Sequence, residues 1–232
     1  MMRLRIAAVS LAAALAALTV VTSAGAALIG IYRNGMESEA QRAQIVKLSG
    51  DRCGRGGSDH AVRILVGRQT GVCAYRTPVV GRDLEIAAVG RLLSSTPQPI
   101  QRKAFLALDL RTGGAGAGYQ LLVYPLQRKA QLRKVTSSGR IEYLHIEKGV
   151  AAKGLNRAND LLLRAFNVTS GPEKGTCHVL AYVGGRLVAD VTDSAAGELE
   201  GRASGFSLGA IGNAQGTVGS FDDVVVRVPS PY

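Results

Sequence analysis

The chain has 232 residues and a formal net charge of +11, with 29 Gly, 4 Phe and no Trp. Apolar residues make up 47% of it, which excludes a disordered chain and is enough for one β-rich domain of ordinary size plus an appendage. Interleaved exposed aromatics of the kind a nucleic-acid binder needs are scarce, so no nucleic-acid partner is expected.

Met1 to Arg5 carries two arginines, and Ile6 to Ile31 carries no charge. About 26 helical residues rising 1.5 Å each would cross a hydrocarbon core of roughly 30 Å. Arg3 and Arg5 predict that the amino terminus stays inside and the rest of the chain lies outside. The competing reading is a cleaved signal peptide, with Ala24-Gly25-Ala26 as the small-residue site. Both readings export the domain. The anchor is favoured because the apolar run continues through Leu28, Ile29 and Ile31. The expected plan is a transmembrane anchor or signal peptide over 1–33, a juxtamembrane stalk with some helix over 34–50, and a β-sandwich over 51–232.

Cys53 and Cys73 bracket the run Ala61 to Val66, behind a Gly-rich turn at Gly54 to Ser58. In an exported chain, two cysteines at that separation are expected to form a disulfide. A metal site would want further Cys or His at short spacing, and His60 is the one nearby. Cys177 alternates with Val179, Ala181 and Val183, so it is expected to face the core as a small hydrophobe. His178 would then point to the opposite face of the strand, which argues against a thiolate–imidazole pair.

From Val72 onward the period is two. Leu84, Ile86, Ala88 and Leu92 alternate with Glu85, Ala87, Val89 and Arg91. Ala104, Leu106, Leu108 and Leu110 alternate with Phe105, Ala107, Asp109 and Arg111. Apolar residues on parts of both faces predict central strands of a sandwich. Pro97 and Pro99 break the chain between the two runs. Thr112 to Gly118 is a Gly/Ala loop without the Gly-Lys-Ser/Thr ending of a phosphate loop. Tyr119 to Pro125 and Gln131 to Thr136 predict a hairpin through Pro125 to Lys129, and Arg140 to Glu147 and Asp160 to Val168 predict two more strands. Gly184-Gly185 suits the positive φ of a tight hairpin turn. On the last strand, Val224, Val226 and Val228 are expected to point inward and Arg227 outward.

The run Gly185-Arg186-Leu187-Val188-Ala189-Asp190-Val191-Thr192-Asp193, the Gly201 to Gly209 strand and the ending Phe221-Asp222-Asp223-Val224-Val225-Val226 carry a family pattern. They resemble the concanavalin A-like jelly-roll superfamily. Within it they look like the laminin G-like and keto-disaccharide-hydrolase-like domains that bacteria place outside the membrane. Gly118 to Val123 and Asn159 to Leu163 resemble two further strands of that pattern. The resemblance covers Val62 to Val228. It implies an all-β fold, an antiparallel β-sandwich of the jelly-roll type, here behind one N-terminal transmembrane helix or signal segment. It implies shape far more than activity.

The chemistry is sparse. A glycosidase places two carboxylates about 5–5.5 Å apart for retention, or further apart for inversion. Glu198 and Glu200 have period-two spacing but sit in a polar loop. Asp83 and Glu85 have it without a third carboxylate, and Asp222 and Asp223 face opposite ways. No catalytic residue is assigned, and enzymatic activity is not expected. Calcium, which some laminin G-like and lectin domains bind, is a candidate cofactor through Asp109, Asp190 and Asp193. The preferred reading is that Asp193 ends a strand and starts a turn, so no metal ligand is assigned.

The positive charge concentrates in Arg128, Lys129, Arg133, Lys134, Arg140, Lys148, Lys153 and Arg157. Arg128, Lys129, Arg133 and Arg140 are the candidate ligand-binding residues, as a patch for anionic envelope material. Arg133 and Lys134 must face opposite sides of a regular strand, so at most one of them joins it. The expected function is a membrane-anchored, extracytoplasmic, non-catalytic module that binds a carbohydrate, an anionic envelope polymer or a protein partner. A jelly-roll glycoside hydrolase and a structural accessory domain are the alternatives.

Overall fold

A computed structural model describes residues 28–49, 52–58, 60–68, 71–113, 117–199 and 201–229. Strand β1 (Leu28–Asn34) is followed by the short helix α1 (Glu39–Ala43) and by β2 (Val46–Ser49). Next come β3 (Cys53–Ser58), β4 (Ala61–Val66), β5 (Val72–Val80) and β6 (Leu84–Leu92). A helical turn, α2 (Gln98–Gln101), precedes β7 (Ala104–Thr112), β8 (Gly118–Tyr124), β9 (Lys129–Val135) and β10 (Ile141–Lys148). The chain continues through β11 (Asn159–Asn167), β12 (Cys177–Val183), β13 (Arg186–Asp193), β14 (Ala203–Ala210) and β15 (Val218–Pro229).

These strands form two antiparallel sheets. The eight-stranded sheet runs β13-β12-β11-β6-β15-β4-β3, with β1 added beside the second half of β15. The seven-stranded sheet runs β10-β9-β8-β7-β14-β5-β2. The molecule is therefore an all-β sandwich, as the alternation and the turn residues predict.

The core lies between the sheets because each central strand sends every second side chain inward. Leu84, Ile86, Ala88 and Leu92 of β6 and Leu106, Leu108 and Leu110 of β7 all join one buried cluster. Phe206 of β14 stacks on Phe221 of β15 across the sandwich, with ring centroids 4.5 Å apart. Val224 and Val226 are fully buried and Val228 packs against the core, while Arg227 reaches Glu85 on the outer side. Two glycine sites are dictated by geometry. Gly184 and Gly185 turn β12 into β13 with φ of 58° and 76°. A Cβ on Gly205 would fall 2.0 Å from the Tyr75 carbonyl oxygen, where β14 squeezes between β7 and β5.

The expected boundaries move. The sandwich does not begin at 51: residues 28–34 form β1 in the eight-stranded sheet, and β2 forms the edge of the other sheet. Between them, Met36 and Ile45 are fully buried, so residues 34–49 of the expected stalk are folded into the domain. An apolar run reads the same whether it lies in lipid or in a strand, which is why composition extended the anchor to Ile31 and beyond. Residues 1–27, on which the anchor and signal-peptide readings chiefly fall, lie outside the described residues. No described helix is long and apolar enough to cross a membrane.

Candidate functional site

The seven-stranded sheet has a second buried cluster on its other face. Phe105 and Ala107 of β7 pack with Leu122 and Tyr124 of β8, with Val72 alongside, separately from the intersheet core. Strand pairing arranges this outer face in rows. One row reads Gly205, Asp109, Gln120, Arg133 and Tyr143. The next reads Ser207, Ala107, Leu122, Gln131 and Ile146, and a third Gly209 and Phe105 on one side and Tyr124, Lys129 and Lys148 on the other.

The first row is wired together. Arg133 Nε donates to Gln120 Oε1 at 2.7 Å, and Gln120 Nε2 donates to Asp109 Oδ1 at 2.9 Å. Ser207 also hydrogen-bonds the Asp109 carboxyl. Asp109 is only 3% exposed. Burial pushes its carboxyl up to about 6, against the opposing pull of Ser207, Gln120 and Arg133. In the third row Lys129 Nζ sits 4.1 Å from the centre of the Tyr124 ring, a cation–π contact. Burial, and then the neighbouring Lys148, hold the Lys129 ammonium below its ordinary value. Phe105 meets Tyr124 edge to face at 5.6 Å. On the edge strand β10, Tyr143 and Ile146 are exposed.

The sequence-predicted patch divides. Lys129 and Arg133 share this face. Arg128 lies at the turn before β9, with φ of 48° and its Nε donating to the Val150 carbonyl at 3.3 Å. Arg140 sits at the far end of β9, beyond Val135, and pairs with Glu142. The four residues therefore do not form one continuous patch. Lys134 points the other way, as pleating requires. It is fully buried between the sheets, with Nζ 3.0 Å from Asp193 Oδ2 and 2.7 Å from the Ala195 carbonyl.

The three candidate calcium donors are placed apart. Asp109 is on the outer face, Asp190 pairs with His178, and Asp193 serves Lys134 and accepts from Tyr119 Oη at 2.6 Å. Cys53 and Cys73 are bonded, and Cys177 is a buried free thiol. Asp83 and Glu85 also separate: Asp83 accepts from the Asn167 backbone N–H at 2.8 Å, and Glu85 lies between Arg164 and Arg227. Arg111 breaks the alternation that would place it beside Asp109. Its φ of 54° accompanies a turn inward, where Nη2 donates to Asn167 Oδ1 at 3.0 Å. Gln120, Tyr124 and Ser207 were not legible as site residues, because only the register of β14, β7, β8 and β9 brings them to Asp109.

No family model and no curated protein matches the sequence. Solved structures do match. The carbohydrate binding module CBM66 from Bacillus subtilis is 16% identical, with 78% of this chain and 93% of that one covered and a TM-score of 0.54. A Bacillus subtilis protein of unknown function with a galectin-like fold is 12% identical, with 87% and 97% covered and a TM-score of 0.61. The Emp46p carbohydrate recognition domain is 10% identical, with 88% and 97% covered and a TM-score of 0.58. At these identities the likeness is one of fold alone: the chain shares the β-sandwich architecture of these structures, one of which is described as galectin-like.

Proposed function

We propose that this protein is an exported, membrane-anchored carbohydrate-binding module that holds an acidic glycan of the envelope on the outer face of its seven-stranded sheet. The observation that carries the reading is the Asp109–Gln120–Arg133 row. The nearly buried Asp109 carboxyl fixes Gln120, and Gln120 and Arg133 present an amide and a guanidinium in one line to sugar hydroxyls. Exposed Tyr143 at the end of the row supplies an apolar ring for a sugar face. Arg133 and Lys129 favour a carboxylate-bearing sugar over a neutral one. The neighbours named as a carbohydrate binding module and a carbohydrate recognition domain support a sugar ligand by fold analogy. In the three rows described Asp109 is the one carboxylate, and a glycosidase needs a pair, which favours binding over cleavage. The laminin G-like resemblance and the charge-free amino-terminal run support export.

The test is a glycan array with neutral and acidic polysaccharides, in calcium and in chelator. Arg133→Gln and Asp109→Asn, each shown to be folded, should lose binding. Binding that survives both changes would place the ligand elsewhere. Release of reducing ends from any bound glycan would favour the hydrolase.

A further inference from the structure

The eight-stranded sheet carries a separate polar cleft of about 580 Å³, lined by Ala61, Arg63, Arg91, Leu93, Ser94, Ser95, Asn156 and Ser220. We infer that it binds a tetrahedral oxyanion, the phosphate or sulfate ester group of a polymer. This goes beyond the glycan reading, because the cleft lies on the other sheet and shares no residue with the Asp109 row.

The floor of the cleft is set by register. Arg63 of β4 pairs with Ser220 of β15, and Ser220 pairs with Arg91 of β6. Two arginines therefore flank a serine on one face, with backbones about 10 Å apart at two strand spacings. Like charges placed across a sheet repel unless something negative lies between them. Arg91 Nη1 makes a long ion pair with Asp222 Oδ2 at 3.9 Å, while Arg63 Nη2 donates to Ser95 Oγ at 3.4 Å and has no carboxylate partner among the described residues. Among the described residues neither fork is gripped bidentately by a carboxylate, so both can turn to a shared ligand, and phosphate and sulfate are what paired arginine forks recognise best.

The wall is fixed by Asn156. Its φ is 59°, and its backbone N–H donates to the Leu92 carbonyl at 2.8 Å. Its Oδ1 accepts from the Ser94 N–H at 2.9 Å, and its Nδ2 donates to Ser94 Oγ at 3.0 Å. Two loops far apart in sequence are locked together, so Ser94 and Ser95 stand beside the arginines as preset hydroxyl donors. Hydroxyls above two forks surround a tetrahedral group better than a planar carboxylate. The cleft also lies at the Ser220 end of β15, whereas β1 begins beside Pro229 at the other end. Those ends are about 30 Å apart, so an anchor preceding β1 would hold the cleft away from its own bilayer, toward a polymer.

The experiment is NMR titration of the full-length, isotope-labelled protein with inorganic phosphate, sulfate and acetate at matched ionic strength. Phosphate or sulfate should shift the amides of Arg63, Arg91, Ser94, Ser95 and Asn156, and acetate should not. Arg63→Gln should weaken that binding about tenfold or more, as loss of a charged hydrogen bond does. Arg63 is exposed, so this variant keeps the fold; Arg91→Gln is the second variant. Arg133→Gln should leave oxyanion binding intact, which separates this site from the glycan face. Phosphorylated and sulfated oligosaccharides, titrated in parallel, identify the source. The proposal is overturned if all three anions act alike, if shifts fall outside the cleft, or if Arg63→Gln binds as tightly as the parent.

Discussion

Lys134 Nζ lies 3.0 Å from Asp193 Oδ2 in the space between the two sheets, joining β9 of one to β13 of the other. A buried ion pair holds only when its remaining valences are met. Here Ala195 contributes its carbonyl to Lys134 and its N–H, at 2.9 Å, to Asp193 Oδ1, and Tyr119 donates to Oδ2. Lys134→Met removes one partner and should cost about 3 kcal/mol in a urea melt. An unchanged midpoint would show that the pair contributes nothing.

The same carboxyl gives a pH prediction. Burial alone would raise Asp193, yet Tyr119, Lys134 and the Ala195 N–H hold it below its ordinary value of 3.8. A depressed folded pKa stabilises at pH above the unfolded value, and that stability is lost as pH falls through the folded one. Stability should therefore drop below about pH 4, and Asp193→Asn should flatten the drop. A variant with the parent's acid limb would show that other carboxylates dominate it.

Asp109 has the opposite sign. Its carboxyl is raised from 3.8 to about 6, so between those values the folded protein holds a proton that the unfolded chain has released. The group favours folding least at neutral pH, and stability from it falls as pH rises from about 4 to 6. Asp109→Asn should raise stability at pH 7 by up to about 3 kcal/mol while abolishing glycan binding. Loss of both stability and binding would mean that the carboxylate is structural.

How much of this is legible in the sequence depends on how local the cause is. The β6 and β7 alternations, the Gly184–Gly185 turn, the Arg133/Lys134 divergence and the inward valines of β15 follow from pleating and turn chemistry within a few residues. Arg111 is misplaced by alternation because one left-handed residue resets the parity. The burial of Lys134 is not readable from its own segment because its partner, Asp193, lies on a distant strand. The Asp109–Gln120–Arg133 row and the Arg63–Ser220–Arg91 row exist only through register between strands. No spacing within one segment signals them.

Export is the next expectation to test. With β1 beginning at Leu28, residues 6–27 still form a charge-free apolar run behind Arg3 and Arg5. About 20 such residues suffice to span a bilayer. The full chain fused to a reporter active only outside the cytoplasm should give signal. Arg3 and Arg5 changed to Glu should reduce it. A silent parent fusion would remove both the anchor and the signal-peptide readings.

The cysteines offer a last test, because the two thiol environments should separate cleanly. Cys53 on β3 and Cys73 on β5 tie the edge of the eight-stranded sheet to the seven-stranded one, closing a loop with a sequence separation of 20. In the chain-entropy model, a cross-link of that span stabilises by roughly 3 kcal/mol, by restricting the unfolded chain. Cys177 is fully buried, and burial pushes its thiol up, which suppresses the reactive thiolate. In native buffer without reductant, a thiol reagent should therefore label nothing. In denaturant it should label Cys177 alone, and after reduction all three. Reduction should also lower the urea midpoint, and Cys177→Ala should leave the native disulfide intact. Labelling of Cys177 in the folded protein would mean that the core opens beside β12. A reduced protein as stable as the oxidised one would mean that β3 is held by its pairing to β4, with no help from the cross-link.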